Sequence, residues 1–356
     1  MYSKILHKKD FLKLMDFDYY QFQSLFNLAI KLKDEHKHAI YKKHLDSKTL
    51  FLIFYNKSLR TRNSFECAMT QLGGHANYLD ADKIYTPILS GNKTDYSNES
   101  IIDVANVLSL MGHGIAIRIF GDPVNNVIGK GFEIVDEFSK YSKVPVINME
   151  CDRFHPCQAM ADLFTIYETY KRFRGLTLCL SWAYSPSVKK PISVPQSVLV
   201  GAIKCGMNVI LTHPKGFELE DDIIKYCAKE AQKNNSNFTL SNNLNSSLIE
   251  ADIVYAKSWT SKMYFPPINK TIDLKNIQDL FNKNRNWIIT EPSFKLCRPN
   301  AKYMHCMPID RNFEVSDDVL NGPNSLIYQE AENRLHIQKA ILLDLLSDLS
   351  TIEMNT

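Results

Sequence analysis

Residues 58–62 read Ser-Leu-Arg-Thr-Arg, directly after the apolar run "TLFLIFY" and just before a stretch with helical spacing, "RNSFECAMTQLGG". Two hydroxyls and two arginines at a strand-to-helix turn suit an anion. The first helical turn offers unpaired N–H groups and the positive end of the dipole, and guanidinium groups bind phosphate oxygens in pairs. Ser58 or Thr61 as a simple helix cap, with the arginines in solvent, is an equally good account of the turn by itself. Two further features weigh against that account. Arg118 stands inside the otherwise apolar "GIAIRIF", where an unpaired guanidinium would be costly, so it is expected at a strand end facing an anion or a buried carboxylate. His155 and Gln158 in "FHPCQAMAD" fall at another strand-to-helix junction, with Pro156 suited to the first helical turn. Each of these residues alone could be a cap or a core group. Together, at the carboxyl ends of three predicted strands, they mark one crevice of the kind in which open α/β sheets bind ligands.

The elements that must hold them follow from the alternation of short β-rich runs with helical patterns, the signature of parallel α/β sheets. In the first half the strands are "TLFLIFY", "HANYLD", "GIAIRIF" and "VPVINM"; in the second they are "LTLCLSW", "MNVILTHP", "ADIVYAKSW", "NWIITEP" and "YMHCMP". This predicts two doubly wound parallel-sheet domains joined by interdomain helices, one of them over about residues 157–171. The amphipathic "ENRLHIQKAILLDLLSDL" is long enough to reach back and close the first domain. The polar, Asn-rich "KNNSNFTLSNNLNSS" reads as a surface connection. A chain of 356 residues, 45% hydrophobic and 23% charged, suits two ordinary domains. Forty-two Lys and Arg against 39 Asp and Glu leave a formal charge of +3 with no long basic block, so no nucleic-acid partner is expected. The N-terminal "MYSKILHKKDFLKLMDF" mixes charged with apolar residues and reads as neither signal peptide nor membrane span. Eight cysteines without a CxxC pair suggest reduced thiols and a cytoplasmic protein.

These segments resemble a known family. "SLRTR" is similar to the carbamoyl-phosphate motif of the aspartate and ornithine carbamoyltransferases, "HPCQAMAD" to their His-Pro-x-Gln motif, and "HCMP" to the His-Cys-Leu-Pro motif of the ornithine branch. Within the family, "QLGGHA", "FSKYSKVPVINME", "DIVYAKSW" and "EAENRLHIQKAI" most resemble N-acetylornithine carbamoyltransferase. The resemblance implies that an acceptor amine attacks the carbonyl carbon of carbamoyl phosphate and that phosphate leaves, with no cofactor, no metal and no covalent enzyme intermediate. It implies a carbamoyl-phosphate domain over 1–150, with a C-terminal helix at 330–356 packed back on it, and an acceptor domain over 151–329. In the second domain the proline-rich "WAYSPSVKKPISVPQS" would form a trefoil knot.

Carried over by position, Ser58, Leu59, Arg60, Thr61 and Arg62 would hold the phosphate, and Arg118, His155 and Gln158 would polarise the carbamoyl oxygen. Cys306 and the backbone of Met307 would take the carbamoyl NH2, and Arg334 would add a positive contact. A nucleophilic role for Cys306 would need a thiolate-forming base, for which His305 is the neighbouring candidate. The acceptor would meet Tyr85, lent by a neighbouring subunit of a homotrimer with shared sites, together with Glu150, Lys257, Asp310 and Glu314. Lys257 stands where ornithine enzymes carry an Asp, which disfavours a free α-ammonium and favours an N-acylated amino acid, N-acetylornithine first, in arginine biosynthesis. Asp310 stands where the acetylornithine branch has an arginine, and Glu314 where it has a carboxylated lysine. Ornithine, or the unassigned acceptor of the knotted paralogues, are the other enzyme readings, and a phosphate-sensing relative is the non-enzyme one. A nicotinamide dehydrogenase lacks GxGxxG behind a strand, and a P-loop kinase lacks its GK[ST] loop.

Overall fold

The structure, a computed structural model, describes residues 2, 3, 5, 6, 9–89, 98–265, 272–348, 351 and 352. Contacts along the backbone divide the chain into two units, Met1–Met160 with Asn333–Thr356, and Ala161–Glu332. The sequence suggested boundaries at 150 and 330.

The first unit is built on strands β1 (Thr49–Phe54), β2 (His75–Asp80), β3 (Gly114–Ile119) and β4 (Val146–Cys151), paired in parallel in the order β2-β1-β3-β4. β1 and β4 are buried almost throughout, as expected of strands covered on both faces. Helices α1 (Tyr19–Lys37), α2 (Arg60–Gln71), α3 (Ile101–Met111) and α4 (Lys130–Tyr141) belong to this unit. The Gly129-Lys130-Gly131 triplet does open α4, but well beyond the end of β3, so it forms no dinucleotide turn. The chain order reverses between β1 and β3, and the turn after β1 and the end of β3 therefore flank the switch point, where ligands of such sheets bind. A register shift between Ile117 and Arg118 sets Arg118 opposite Glu150.

Helix α5 (Pro156–Tyr170) follows β4. The second unit carries β5 (Thr177–Trp182), β6 (Asn208–Thr212), β7 (Phe238–Ser241), β8 (Ile253–Lys257) and β9 (Lys302–Met304), all parallel, in the order β7-β6-β5-β8-β9. Its switch point lies between β5 and β8, and Lys257 is the last residue of β8. Two sequence expectations fail here. The Asn-rich connection contains an edge strand, β7, whose polarity reflects pairing on one side only. "NWIITEP" is not a strand: Ile289 makes an isolated bridge to Val315 and the segment passes into a short helix, Glu291–Phe294. Its apolar residues line the core, which a short apolar run does not distinguish from a strand.

The last helix, α6 (Ile327–Leu346), returns to the first unit: Lys33 donates to Asn333 at 2.7 Å, and Lys339 to Gln71 at 3.1 Å. The helix expected over 330–356 ends at Leu346, Thr351–Ile352 instead pair antiparallel with Tyr2–Ser3, and residues 349, 350 and 353–356 lie outside the described residues. Among the described residues no helix is long and apolar enough to cross a membrane.

Candidate active site

In the first unit the chemistry gathers where the sequence placed it. Ser58 Oγ accepts from the Thr61 amide at 3.2 Å and so closes the turn before α2. Thr61 is buried, and its hydroxyl accepts from Arg334 Nη2 at 3.3 Å, while Arg334 Nη1 donates to Gln158 Oε1. One guanidinium from α6 thus joins the residue after Arg60 to the first turn of α5. Arg118 donates to Glu150 Oε2, and His155 Nε2 lies 3.6 Å from the same oxygen. The expectation of a buried carboxylate beside Arg118 is met, and Arg118 Nε remains buried without a hydrogen-bond partner among the described residues.

His155 is held neutral, well below the ordinary histidine range, first by burial and then by Arg334, Arg118 and Arg60. Three guanidinium charges thus act on one imidazole. Against them stands the Glu150 carboxylate, so the cluster carries an excess of positive charge and is complementary to a dianion. Arg62 is directed elsewhere: its Nε donates to Glu66 at 2.8 Å, and its guanidinium lies 3.7 Å from the centroid of the Tyr78 ring. Leu59 is exposed, as is Tyr85. The backbone beside Tyr85 is braced by Tyr55, whose hydroxyl donates to the Pro87 carbonyl at 2.7 Å, and by Thr86, which donates to Ala81 O at 2.8 Å.

In the second unit Lys257 and Glu314 are both buried, with Nζ 3.6 Å from Oε1. Glu314 Oε1 accepts from the Ser258 amide at 2.7 Å and Oε2 from the Asp310 amide at 2.8 Å. Burial alone would raise this carboxyl, but Lys257 and His305 outweigh burial and hold it well below the usual carboxylate range. The Met307 amide donates to His305 Nδ1 at 2.9 Å, so the imidazole proton sits on Nε2, 3.2 Å from Glu314. Nδ1 of His305 is committed to the Met307 amide and Nε2 carries the proton, close to Glu314 but without a well-aligned hydrogen bond, so neither nitrogen offers a free lone pair as a base for Cys306. Burial pushes the Cys306 thiol up to about 12, which leaves it protonated and removes the nucleophilic reading. Met307 itself has a φ of 55°, the left-handed region that a β-carbon disfavours, and its bond to His305 holds it there. Asp310 accepts from Ser185 Oγ at 2.5 Å and from Lys190 Nζ at 2.7 Å. Arg311 pairs with Asp317 at 2.5 Å.

Sequence reasoning missed Lys190 and Ser185, which follow no recognisable spacing, and Asp162 and Tyr255, which are buried and hydrogen-bonded to each other. The i to i+4 step from Gln158 to Asp162 along α5 was the available signal for the latter pair. Among the described residues no group of three or more His, Cys, Asp or Glu side chains is placed to hold a metal ion.

Residues 9–168 match the model of the aspartate/ornithine carbamoyltransferase carbamoyl-P binding domain, and residues 190–345 that of the Asp/Orn binding domain. The ornithine carbamoyltransferase of Caldicellulosiruptor saccharolyticus is 34% identical over 94% of this chain and 97% of its own length. That of Pyrococcus abyssi is 32% identical over 97% and 98%. Among solved structures, acetylornithine transcarbamylase complexed with acetylcitrulline aligns with a TM-score of 0.88 and 32% identity over 96% of this chain and 100% of its own. Ornithine carbamoyltransferase from Pyrococcus furiosus aligns with a TM-score of 0.81 and 30% identity, over 97% and 99%. Two consecutive domain models of one family, and relatives that share nearly the whole length, account for a first unit complementary to an anion: the chain belongs to the aspartate/ornithine carbamoyltransferase family and is a carbamoyltransferase.

Proposed function

We propose that the chain moves the carbamoyl group of carbamoyl phosphate to the side-chain amine of an N-acylated amino acid, N-acetylornithine first, giving N-acetylcitrulline and phosphate. The observation that carries the acceptor class is Lys257, a buried cation at the carboxyl end of β8, with Glu314 fixing it. A free α-ammonium would be repelled there, whereas a carboxylate or an acyl oxygen would be attracted. In this reading Ser58, Arg60, Thr61 and Arg334 hold the phosphate, with Arg62 turning from Glu66 when the anion is bound. Arg118, neutral His155 and Gln158 stabilise charge on the carbamoyl oxygen, and Cys306 and the Met307 backbone take its NH2 group. The amine lone pair attacks the carbonyl carbon, the oxygen takes the displaced pair, and its return breaks the bond to phosphate. The amine gives up one proton, which the leaving phosphate takes. Catalysis is then chiefly positioning and preorganised electrostatics.

Two solved relatives support the acceptor class, one complexed with acetylcitrulline and one with carbamyl phosphate and N-succinyl-L-norvaline. Ornithine is the second reading, favoured by relatives that are ornithine carbamoyltransferases. Tyr85, Glu150, Asp310 and Glu314 complete the proposed acceptor set, with Tyr85 supplied by a neighbouring subunit of a homotrimer. All eight cysteines are free thiols, in keeping with a reducing compartment such as the cytoplasm. The test is a screen of ornithine, acetylornithine, succinylornithine, aspartate, putrescine and small amides with carbamoyl phosphate, reading the ureido product. A faster reaction with ornithine than with any acylated amine would overturn the acceptor assignment.

A further inference from the structure

Beside the Lys257–Glu314 pair the second unit holds another, more open ion pair. The side chains of Lys257 and Glu314 are 6% and 0% exposed, whereas those of Lys190 and Asp310, 2.7 Å apart, are 14% and 30% exposed. The two pairs are neighbours, because one oxygen of Glu314 accepts from the Asp310 amide at 2.8 Å and the other lies 3.6 Å from Lys257. The chain leaving β5 is also held against the chain leaving β8. The Ala183 amide donates to the Lys257 carbonyl at 3.1 Å, and the Thr260 amide to the Lys190 carbonyl at 3.0 Å. The buried pair is therefore the floor of this end of the sheet, and Lys190 with Asp310 is its rim. Ser185 Oγ accepts from the Ser187 amide at 3.0 Å and gives its own proton to Asp310 Oδ2 at 2.5 Å. Lys190 meets the same oxygen, so among the described residues only Oδ2 of this carboxylate is engaged.

The charges at this end of the sheet can be counted. Each lysine is matched by one carboxylate before any ligand arrives. A ligand carboxylate drawn to Lys257 on the floor has a cation to meet, but a second one, carried outward, would meet the Asp310 carboxylate at the rim with Lys190 already engaged. Like charges a few ångströms apart are costly near a protein surface. We infer that Asp310 is a specificity-determining residue for the acceptor: held by Lys190 and Ser185, it admits an uncharged N-acyl group such as acetyl and excludes one that ends in a second carboxylate, such as succinyl. This rests on the N-acylated acceptor proposed above. The competing account is a brace that ties the exit of β5 to the turn after β9 and has no bearing on which acceptor enters.

Calorimetric titration of the full chain, saturated with carbamoyl phosphate, separates the two accounts. The probes are N-acetyl-L-norvaline, N-succinyl-L-norvaline and L-norvaline, which lack the side-chain amine and cannot react. The parent should bind the acetyl compound about tenfold or more tighter than the succinyl compound. Asp310→Asn keeps the size of the side chain and frees the Lys190 charge, so it should close that gap or reverse it. Lys190→Met leaves Asp310 unneutralised and should widen the gap, and the double variant should fall between the two singles. Loss of a brace would weaken both acyl compounds alike and leave their ratio where it was. A parent that binds both equally, or single variants that shift the ratio in one common direction or by less than about twofold, overturn the inference. If the parent binds L-norvaline and neither acyl compound, the acylated acceptor fails first and the inference falls with it. If the parent binds the acetyl compound and the ratio does not respond to the variants, the inference fails alone. Should Asp310→Asn not fold, Lys190→Met carries the comparison by itself, since a brace predicts no change in the ratio.

Discussion

At the scale of single residues the cationic cluster makes a sharp prediction about Arg60. Its guanidinium faces His155 at the head of α2. Replacing it by Ala should remove about 2–4 kcal/mol of carbamoyl phosphate binding, read by titration calorimetry, with the fold intact. Unchanged affinity would mean that this turn does not hold the anion. Lys257 differs because it serves twice. Lys257→Ala should weaken the acceptor and spare carbamoyl phosphate, but it also strands Glu314 as a buried charge, at about 3–5 kcal/mol of stability. Lys257→Met combined with Glu314→Gln should regain much of the melting temperature without regaining the acceptor, and recovery of both would assign Lys257 a purely structural part. Most of this was legible in residue types, since hydroxyls, arginines, His155 and Gln158 at strand ends suggest an anion whatever the rest of the chain does. The rest depended on partners distant in sequence. Nothing local in "WAYSPSVKKP" announces that Lys190 will meet Asp310, and Tyr78 stands on β2 while Arg62 stands on α2.

At the scale of elements, eight of the nine strands of the two larger sheets were readable, most of them because buried parallel strands are continuous apolar runs, whereas the short pairs Thr86–Ile88 with Asn98–Ser100 and Tyr2–Ser3 with Thr351–Ile352 were not foreseen. The ninth, β7, was hidden by the polarity of an edge, and "NWIITEP" was misread because apolar core segments need not be strands. The packing of α6 on α1 was foreseeable only as amphipathicity, and its chemistry was not. His336 is fully buried, with its ring 5.3 Å from that of His36, and burial followed by Lys33, Lys339, His36 and Lys37 pushes it down to about 3. A folded pKa below the unfolded 6.5 means that the unfolded chain binds the extra proton first. This contribution to stability is complete above about pH 6.5 and is lost as the pH falls. His155 and His305, also lowered, act in the same direction. Between about pH 6.5 and pH 5, His336 alone should cost about 2 kcal/mol of stability. His336→Gln should therefore flatten the acid limb of melting temperature against pH, and a variant that follows the parent curve would show that the site takes up its proton without unfolding.

At the scale of the whole molecule, the exposed Tyr85 and the surplus of positive charge in the first unit lead to a question of assembly. If each site takes Arg60 from one subunit and Tyr85 from the next, Arg60→Ala and Tyr85→Ala chains should each be nearly inactive. An equal mixture, unfolded and refolded together, should recover about a quarter of the sites. A monomeric mass by light scattering, or no recovery on mixing, would return Tyr85 to being a surface aromatic. The first unit also has an unusual relation to time. Its chain departs at 160 and resumes at 333, and Arg334, which binds Thr61 and Gln158, belongs to the resumed part. On the ribosome the usual order, in which the earlier-made domain is finished first, is therefore inverted. Residues 161–332 emerge as one continuous piece able to close, while the strands that bear Arg118 and the turn that bears Arg60 wait, with an apolar flank open, for a helix not yet made. A nascent chain halted at 332 should thus expose protease sites in its oldest half, and the same chain extended through 348 should lose them.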